Sequence, residues 1–180
     1  EGEIHGQNGG YPIAIALSND AVKLAVSMIN INEGSVKSTI AFYNYGTVGQ
    51  NEIDHCVGVN NYDDMVIPEM EFTSNDRMVA FGDTKAVIFE GAQKPQAIAE
   101  IPMDEKTKSI FYNEHYIGIV TGNEDEAVTN HLAVYDENGK LVMEKDFGTA
   151  KYLCQILEKL EVLLGTNTTS TGYQDLCIHD

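Results

Sequence analysis

The sequence lacks tryptophan and is poor in positive charge. It has 11 lysine and arginine residues against 28 aspartate and glutamate residues, which gives a formal net charge of −17. A surface this acidic repels phosphate groups, so the composition argues against nucleic acid and anionic membrane surfaces as partners.

Cysteine is scarce too. Cys56, Cys154 and Cys177 form no Cys-x-x-Cys pair, so we predict no zinc knuckle, thioredoxin-type site or disulfide scaffold, and expect small buried hydrophobic residues instead.

Long apolar runs are also missing. The chain has no stretch of about eighteen apolar residues, so we expect no membrane contact from this segment. No basic and apolar signal peptide opens it. Because the chain starts at Glu1 without a methionine, we expect that residues have been removed upstream, where an anchor could lie.

Motifs that carry chemistry are absent. The sequence has no Gly-x-Ser-x-Gly elbow, His-Glu-x-x-His, phosphate-binding loop or dinucleotide-binding glycine pattern. The acidic stretches 122–126 and 136–139 do not match a complete calcium loop. No metal-ligand spacing links the five histidines, which are His5, His55, His115, His131 and His179. We therefore predict no catalytic residues, no metal ligands and no cofactor.

What the sequence does contain is a repeat. Four short apolar segments each end in an aromatic residue or histidine followed by a polar residue. The marker residues Tyr43, Phe89, Tyr135 and His179 are separated by 46, 46 and 44 residues. Segments with strand character precede the markers at 23–27, 77–82, 116–121 and 161–165, and further ones follow at 51–59, 96–101 and 141–147. Such units of about 45 residues and four antiparallel strands are typical of β-propeller blades.

Turns and loops fit the same plan. Ser18-Asn19-Asp20 and Ser74-Asn75-Asp76 are near-identical turns at equivalent places, and 136–139 is predicted to be a hairpin turn. Long polar loops are predicted at 30–37, 122–130 and 166–174. The fold class is therefore all-β, with about four blades in a single partial domain over 1–180. The blades are predicted at 11–60, 65–102, 108–148 and, incomplete, 151–180.

Two points of this interpretation have alternatives. We favour a fragment of a larger propeller over a closed ring of four units in which the stretch around Ile4 supplies the missing strand. The segment 151–164 has leucine and isoleucine at helical spacing before Gly165, a pattern that favours a helix. The repeat instead predicts two strands with a turn near Glu158-Lys159, and we adopt that prediction.

Several strand-and-turn stretches together resemble a bacterial family of unknown function. They are 34–46 (GSVKSTIAFYNYG), 48–55 (VGQNEIDH), 77–83 (RMVAFGD), 86–95 (AVIFEGAQKP) and 109–120 (SIFYNEHYIGIV). Members of this family resemble WD40-type propellers behind a single N-terminal membrane anchor, in Gram-positive anaerobes. The resemblance implies a membrane-anchored protein with this chain on the extracellular face of the cell membrane, and it assigns no functional residues.

Two functions remain open at this point. The first is a non-enzymatic module for protein interaction or ligand sensing, with a protein or a cell-surface glycan as its partner. Aromatic contact patches could be formed by Tyr11, Tyr43, Tyr45, Tyr62 and Tyr173. The alternative is a polysaccharide hydrolase or lyase with paired carboxylates at the propeller channel. Asp54, Asp63 and Asp64 could form an acidic rim. A small structural β-sandwich is a third option, but it does not predict the spacing of about 46 residues.

Overall fold

A computed structural model describes residues 10–32, 34–44, 56–103, 107–122, 131–146, 150–156, 162–168 and 173–179. Every regular element in these ranges is a β-strand, and they contain no helix that could cross a membrane. The chain divides into two compact units, unit 1 (Glu1–Met103) and unit 2 (Asp104–Asp180). Each unit contains two antiparallel sheets.

The sheets are built from strands that follow one another along the chain. The strands are β1 (Tyr11–Leu17), β2 (Lys23–Asn32), β3 (Ser35–Asn44), β4 (Cys56–Asp63), β5 (Glu69–Ser74), β6 (Arg77–Phe81), β7 (Lys85–Glu90), β8 (Gln96–Pro102), β9 (Thr107–Tyr112), β10 (Tyr116–Thr121), β11 (His131–Asp136), β12 (Leu141–Asp146), β13 (Ala150–Ile156), β14 (Val162–Thr168) and β15 (Tyr173–His179). Sheet 1 is β1-β2-β3-β4 and sheet 2 is β5-β6-β7-β8, both in unit 1. In unit 2, sheet 3 is β9-β10-β11-β12 and sheet 4 is β13-β14-β15.

The repeat in the sequence is confirmed as a repeat of sheets. The four marker residues each lie at the last or next-to-last position of a third strand, on β3, β7, β11 and β15. The prediction of two strands in the segment 151–164 is also confirmed, because β13 and β14 pair antiparallel from Ala150↔Thr166 to Ile156↔Val162. The turn predicted at Glu158-Lys159 and the strand predicted around Ile4 lie outside the described residues.

Two boundaries in sheet 1 were predicted wrongly. The segment 30–37 is not a loop: β2 and β3 stay paired to Asn32↔Ser35, and the chain reverses at Gly34, whose φ is +83°. Likewise β4 does not end at Val59 but continues to Asp63. The predicted loop 166–174 is also partly strand, because β14 extends to Thr168 and β15 starts at Tyr173. In each case a high content of polar residues gave the segment a loop-like composition.

Sheets 1 and 2 pack face to face through apolar residues at alternate strand positions. Within this core the rings of Phe42 on β3 and Phe89 on β7 have centroids 5.2 Å apart and planes at 60°. Such an edge-to-face arrangement is favoured by the ring quadrupoles. The remaining buried members of the core are Ala16, Ala25, Ile40, Met65, Ile67, Met70, Phe72, Met78, Ala80 and Val87.

The connection from sheet 1 to sheet 2 is held by buried hydroxyl groups. Ser27 Oγ donates to the carbonyl of Ile67 at 2.8 Å, and Ser38 Oγ donates to the carbonyl of Met65 at 2.5 Å. Both serines are fully buried. Because buried carbonyls need partners, these bonds fix the connection against sheet 1. They also seat the side chain of Met65, which is 2% exposed, against Gly82.

We expect Gly82→Ala to lower the free energy of unfolding by about 1–3 kcal/mol, because overpacking a filled core displaces its neighbours. A Cβ at Gly82 would overlap Cε of Met65 and lie 3.0 Å from the carbonyl oxygen of Lys85. Urea unfolding gives the measurement. In a Met65→Ala background, Gly82→Ala should lower the free energy of unfolding by clearly less, because the overlapping Cε atom is gone.

Gly58→Ala is the matched control for that series. A Cβ there would meet Cγ of Lys94 at 3.7 Å, an ordinary contact. We expect a change within about 0.5 kcal/mol, since the added methyl meets no clash and the residue loses backbone entropy in the unfolded chain. If Gly82→Ala proved as harmless as Gly58→Ala, the packing of Met65 on Gly82 would be wrong.

The Ser-Asn-Asp turn between β1 and β2 is closed by its own side chains. Ser18 Oγ donates to Asp20 Oδ1 at 2.6 Å and accepts from the backbone N–H of Lys23 at 2.9 Å. The N–H of Val22 donates to the same Asp20 oxygen at 3.1 Å. The hydrogen bond from Ser18, followed by that from Val22, lowers the pKa of Asp20 below its ordinary value. The predicted turn is therefore confirmed.

This turn also contacts its counterpart between β5 and β6. The N–H of Asp20 donates to Asn75 Oδ1 at 3.1 Å. Lys23, whose side chain is 7% exposed, donates from Nζ to the carbonyl of Asn75 and forms an ion pair with Asp76 Oδ1 at 2.5 Å. We call this set of contacts the turn clasp. It joins sheets 1 and 2 by polar contacts in addition to their apolar core.

Candidate functional site

A polar groove lies on sheet 1, on the face opposite to the one that packs on sheet 2. Residues directly opposite in antiparallel strands share a face, and so do residues two apart along a strand. By this rule two adjacent rows across β2, β3 and β4 face the same side. The rows are Met28, Thr39, Asn61 and Asn30, Lys37, Asp63. Together with Gly10 these residues line a groove of about 350 Å³.

The polar side chains in the groove are arranged by contacts with one another. Lys37 Nζ lies 3.1 Å from Asp63 Oδ1, and both side chains are mostly exposed. Thr39 Oγ1 donates to Asn61 Oδ1 at 2.9 Å. That bond engages the amide oxygen of Asn61 and leaves its two N–H groups as donors. The ammonium and the carboxylate cancel, so this row of the groove has no net charge.

Gly10 lines the groove beside Met28, and the backbone lies close to β2 there. A Cβ at Gly10 would lie 3.1 Å from Cβ of Met28 and 3.4 Å from the carbonyl oxygen of Ile29. Any larger residue would therefore press on Met28 and narrow the groove. Met28 itself is buried, and it gives the groove its one apolar side chain.

This arrangement suits reversible binding by hydrogen bonds. Amide, hydroxyl, ammonium and carboxylate groups supply both donors and acceptors on one face of the sheet. Among the residues that line the groove, Asp63 supplies the one carboxylate. In the part of the chain that the structure describes, no group of three His, Cys, Asp or Glu side chains could hold a metal ion.

The tyrosines predicted to form contact patches do not come together. Tyr11 is 75% exposed at the start of β1, whereas Tyr43 is buried at 6%. Tyr62 is partly buried against the core between sheets 1 and 2. Tyr45 lies outside the described residues, and Tyr173 begins β15, where the side chains are not described. Tyr11 is thus the exposed aromatic residue of the set, among those whose side chains are described.

The histidines and acidic residues are equally dispersed. His115 Nδ1 lies 3.4 Å from Glu137 Oε2, and His131 Nδ1 lies 2.9 Å from Asp146 Oδ1, all on exposed surface. Asp136 Oδ1 accepts two backbone N–H bonds at 2.9 Å, which confirms the hairpin turn predicted at 136–139. Residues 123–126, His5, Asp54 and His55 lie outside the described residues, as does the side chain of His179.

Sequence reasoning missed the groove for an identifiable reason. Asn30 and Lys37 were assigned to a loop, Asn61 was placed beyond the end of a strand, and Asp63 was assigned to an acidic rim. The signal that could have found them is the alternation of Ile29, Ile31 and Val36 with polar residues. Such a period of two is typical of a strand with one wet face.

Tyr62 gives a pH-dependent prediction. Burial, and then the negative charge of Glu100, raise the pKa of Tyr62 to about 12. An unfolded tyrosine loses its proton near pH 10, so the folded protein keeps this proton over a range in which the unfolded chain has lost it. The contribution to stability is therefore complete below about pH 10 and is lost as the pH rises towards about 12.

We expect wild type to lose about 1–2 kcal/mol more unfolding free energy than Tyr62→Phe between about pH 9 and pH 12, a value discounted for partial exposure. Urea unfolding at both pH values measures it. Tyr62→Phe keeps the ring, over which Lys85 Nζ lies 5.5 Å from the centroid, and removes only the hydroxyl. Equal losses in the two proteins would show that Tyr62 does not hold its proton.

Solved structures similar to this chain include β-propeller domains. The β-propeller domain of the Trilobed protease from Pyrococcus furiosus, described as having an open velcro topology, has a TM-score of 0.57 and 11% identity over 95% of this chain and 55% of that chain. Pyrococcus horikoshii acylaminoacyl peptidase has a TM-score of 0.59 and 11% identity over 95% of this chain and 31% of that chain. A eukaryotic initiation factor has a TM-score of 0.57 and 10% identity over 82% of this chain and 35% of that chain.

These similarities concern the fold alone, because the identities are near 10%. They confirm the predicted all-β, propeller-like fold class. The chain spans between 31% and 55% of the length of these solved chains.

Sequence comparison gives a family and no activity. No curated protein matches the chain in sequence. A model described as a family of unknown function, DUF5711, matches residues 1–175. The predicted resemblance to a family of unknown function is thereby confirmed, while the membrane anchor and the bacterial origin stay predictions. Because the match covers nearly the whole sequence, the chain belongs to the DUF5711 family of unknown function.

Proposed function

We propose that this chain is a non-enzymatic interaction or ligand-sensing module on the extracellular face of the cell membrane. The observation that carries the proposal is the polar groove on sheet 1. Its groups form a solvent-open surface of donors and acceptors, and such a surface can bind a polar molecule through hydrogen bonds. The extracellular location rests on the resemblance to anchored family members.

The alternative function, polysaccharide hydrolysis or cleavage by a lyase, needs two carboxyl groups about 5–10 Å apart around one bond. The lining of the groove supplies Asp63 alone. The groove therefore favours binding over catalysis.

The location can be tested on intact cells of the source organism. Surface biotinylation with a reagent that does not cross membranes, followed by detection with an antibody to this chain, should label the protein without cell lysis. A cytosolic protein serves as the unlabelled control. Labelling that appears only after lysis would contradict the extracellular location.

The absence of catalysis is tested separately. Incubation of the purified chain with neutral and acidic polysaccharides should release no new reducing ends and no unsaturated products that absorb near 235 nm. Product release that scales with protein and disappears in Asp63→Asn would overturn the proposal and establish the alternative.

A further inference from the structure

We propose that the groove on sheet 1 binds an uncharged, hydroxyl-rich ligand, an oligosaccharide segment, through the side chains of Asn30, Lys37, Asn61 and Asp63. This inference rests on the proposed binding function and adds the site and the ligand class. The groove of about 350 Å³ is near the lower end of the range of about 300–1,000 Å³ typical of small-molecule sites. Its size suits one or a few sugar rings and not a folded partner.

Apart from Gly10, the groove meets a ligand with side chains. The groove crosses the face of β2, β3 and β4, where β3 is paired on both sides, with β2 and with β4. A peptide that adds to a sheet binds along a strand edge through its main chain, which is a different place on sheet 1. The face itself presents amide, ammonium and carboxylate groups at strand spacing. Hydroxyl groups both donate and accept, so a sugar can satisfy all of them.

The charges argue for a neutral ligand. Lys37 is balanced by Asp63 at 3.1 Å, so the groove offers no excess positive charge for a phosphate, sulfate or uronate. The chain as a whole carries −17, which repels anions at longer range. A cationic ligand would have to displace Lys37 from Asp63.

The side-chain amide of Asn61 is held in one orientation before a ligand binds. Its amide oxygen is held by the hydroxyl of Thr39 at 2.9 Å, and its N–H donors have no partner among the described residues. A fixed amide loses less rotamer freedom on binding than a free one. Asn61 is therefore the side chain whose loss should weaken binding most directly.

The test uses ligand-observed saturation-transfer NMR on the full 180-residue chain. The probes are chitotetraose, cellotetraose and mannotetraose as neutral sugars, oligogalacturonate as an acidic sugar, and an uncharged serine- and threonine-rich peptide. The groove variants are Asn61→Leu and the pair Lys37→Met with Asp63→Leu. Lys85→Met with Glu100→Leu is the matched control, because Lys85 and Glu100 form a similar ion pair at 2.7 Å outside the groove. Urea unfolding midpoints of all variants confirm folding.

We expect at least one neutral sugar to bind wild type and the control pair equally, and each groove variant to lose at least about tenfold in affinity. The affinity should not change between about 0.05 M and 0.5 M salt, because screening acts only on charges. If the groove variants bound neutral sugars as tightly as wild type, the assignment of the groove as the binding site would be wrong.

Binding of only the acidic sugar or the peptide, lost in the groove variants, would overturn the ligand class and leave the binding function intact. A chain that binds none of the probes would overturn the inference, while the surface-labelling and product-release experiments would still decide the proposed function on their own.

Discussion

Replacing Phe89 with alanine should lower the free energy of unfolding of unit 1 by about 3–5 kcal/mol, the cost of removing a fully buried ring and leaving a cavity. Phe89 is 0% exposed, and Phe42, its neighbour across the two sheets, is 1% exposed. Hydrogen bonds from buried serines hold the connection between the two sheets in place. The cavity left by the Phe89 ring therefore cannot easily collapse. Urea unfolding followed by circular dichroism measures the loss.

A double-mutant cycle with Phe42→Ala isolates the contact between the rings. At a centroid separation of 5.2 Å we expect a coupling energy of about 0.5–1.5 kcal/mol. Tyr11→Ala is the control for the loss of an aromatic ring. Because this ring is 75% exposed, its removal should lower the free energy of unfolding by no more than about 0.5 kcal/mol. If Phe89→Ala cost no more than Tyr11→Ala, the face-to-face packing of sheets 1 and 2 would be refuted.

The repeat was predictable because it depends on local patterns. An apolar third strand needs alternating or continuous apolar residues, and a turn needs residues such as Ser, Asn and Asp. Tyr43, Phe89, Tyr135 and His179 therefore marked the third strands correctly. In the segment 151–164 the local pattern favoured a helix, and the repeat gave the right answer because strand pairing with β14 and β15 overrides weak propensities.

The groove was not predictable in the same way. Its six side chains come from three strands, and only the register of β2, β3 and β4 shows that Asn30, Lys37 and Asp63 share a row. Register depends on pairings between residues distant in the sequence. The polar composition of 30–37 suggested a loop, although a half-wet strand has the same composition. Surfaces for binding and segments that resemble loops are thus easily confused in an all-β chain.

The turn clasp is a second feature that local sequence patterns could not predict. Both Ser-Asn-Asp turns were predicted from their residue types, but their mutual contact was not, because it depends on how sheet 1 packs on sheet 2. Lys23 was assigned only to a strand. Its ammonium group in fact reaches Asn75 and Asp76, more than 50 residues later in the chain.

Asp76→Ala should therefore lower the free energy of unfolding by about 2–3 kcal/mol, because it leaves the ammonium of Lys23 buried without its counter-ion. The Lys23 side chain is 7% exposed, while Asp76 is 59% exposed. A fully buried pair would cost more, about 3–5 kcal/mol, so the expected loss is reduced for the exposed partner. Urea unfolding of the variant gives the value.

The second variant separates the lost charge partner from a lost contact. Lys23→Met in the Asp76→Ala background removes the buried charge and keeps most of the apolar stem, so it should recover at least half of the lost stability. Asp63→Ala is the matched control. It breaks the exposed pair with Lys37 and should cost no more than about 1 kcal/mol. An Asp76→Ala variant as stable as Asp63→Ala, or a double variant with no recovery, would mean that the clasp does not hold a desolvated charge.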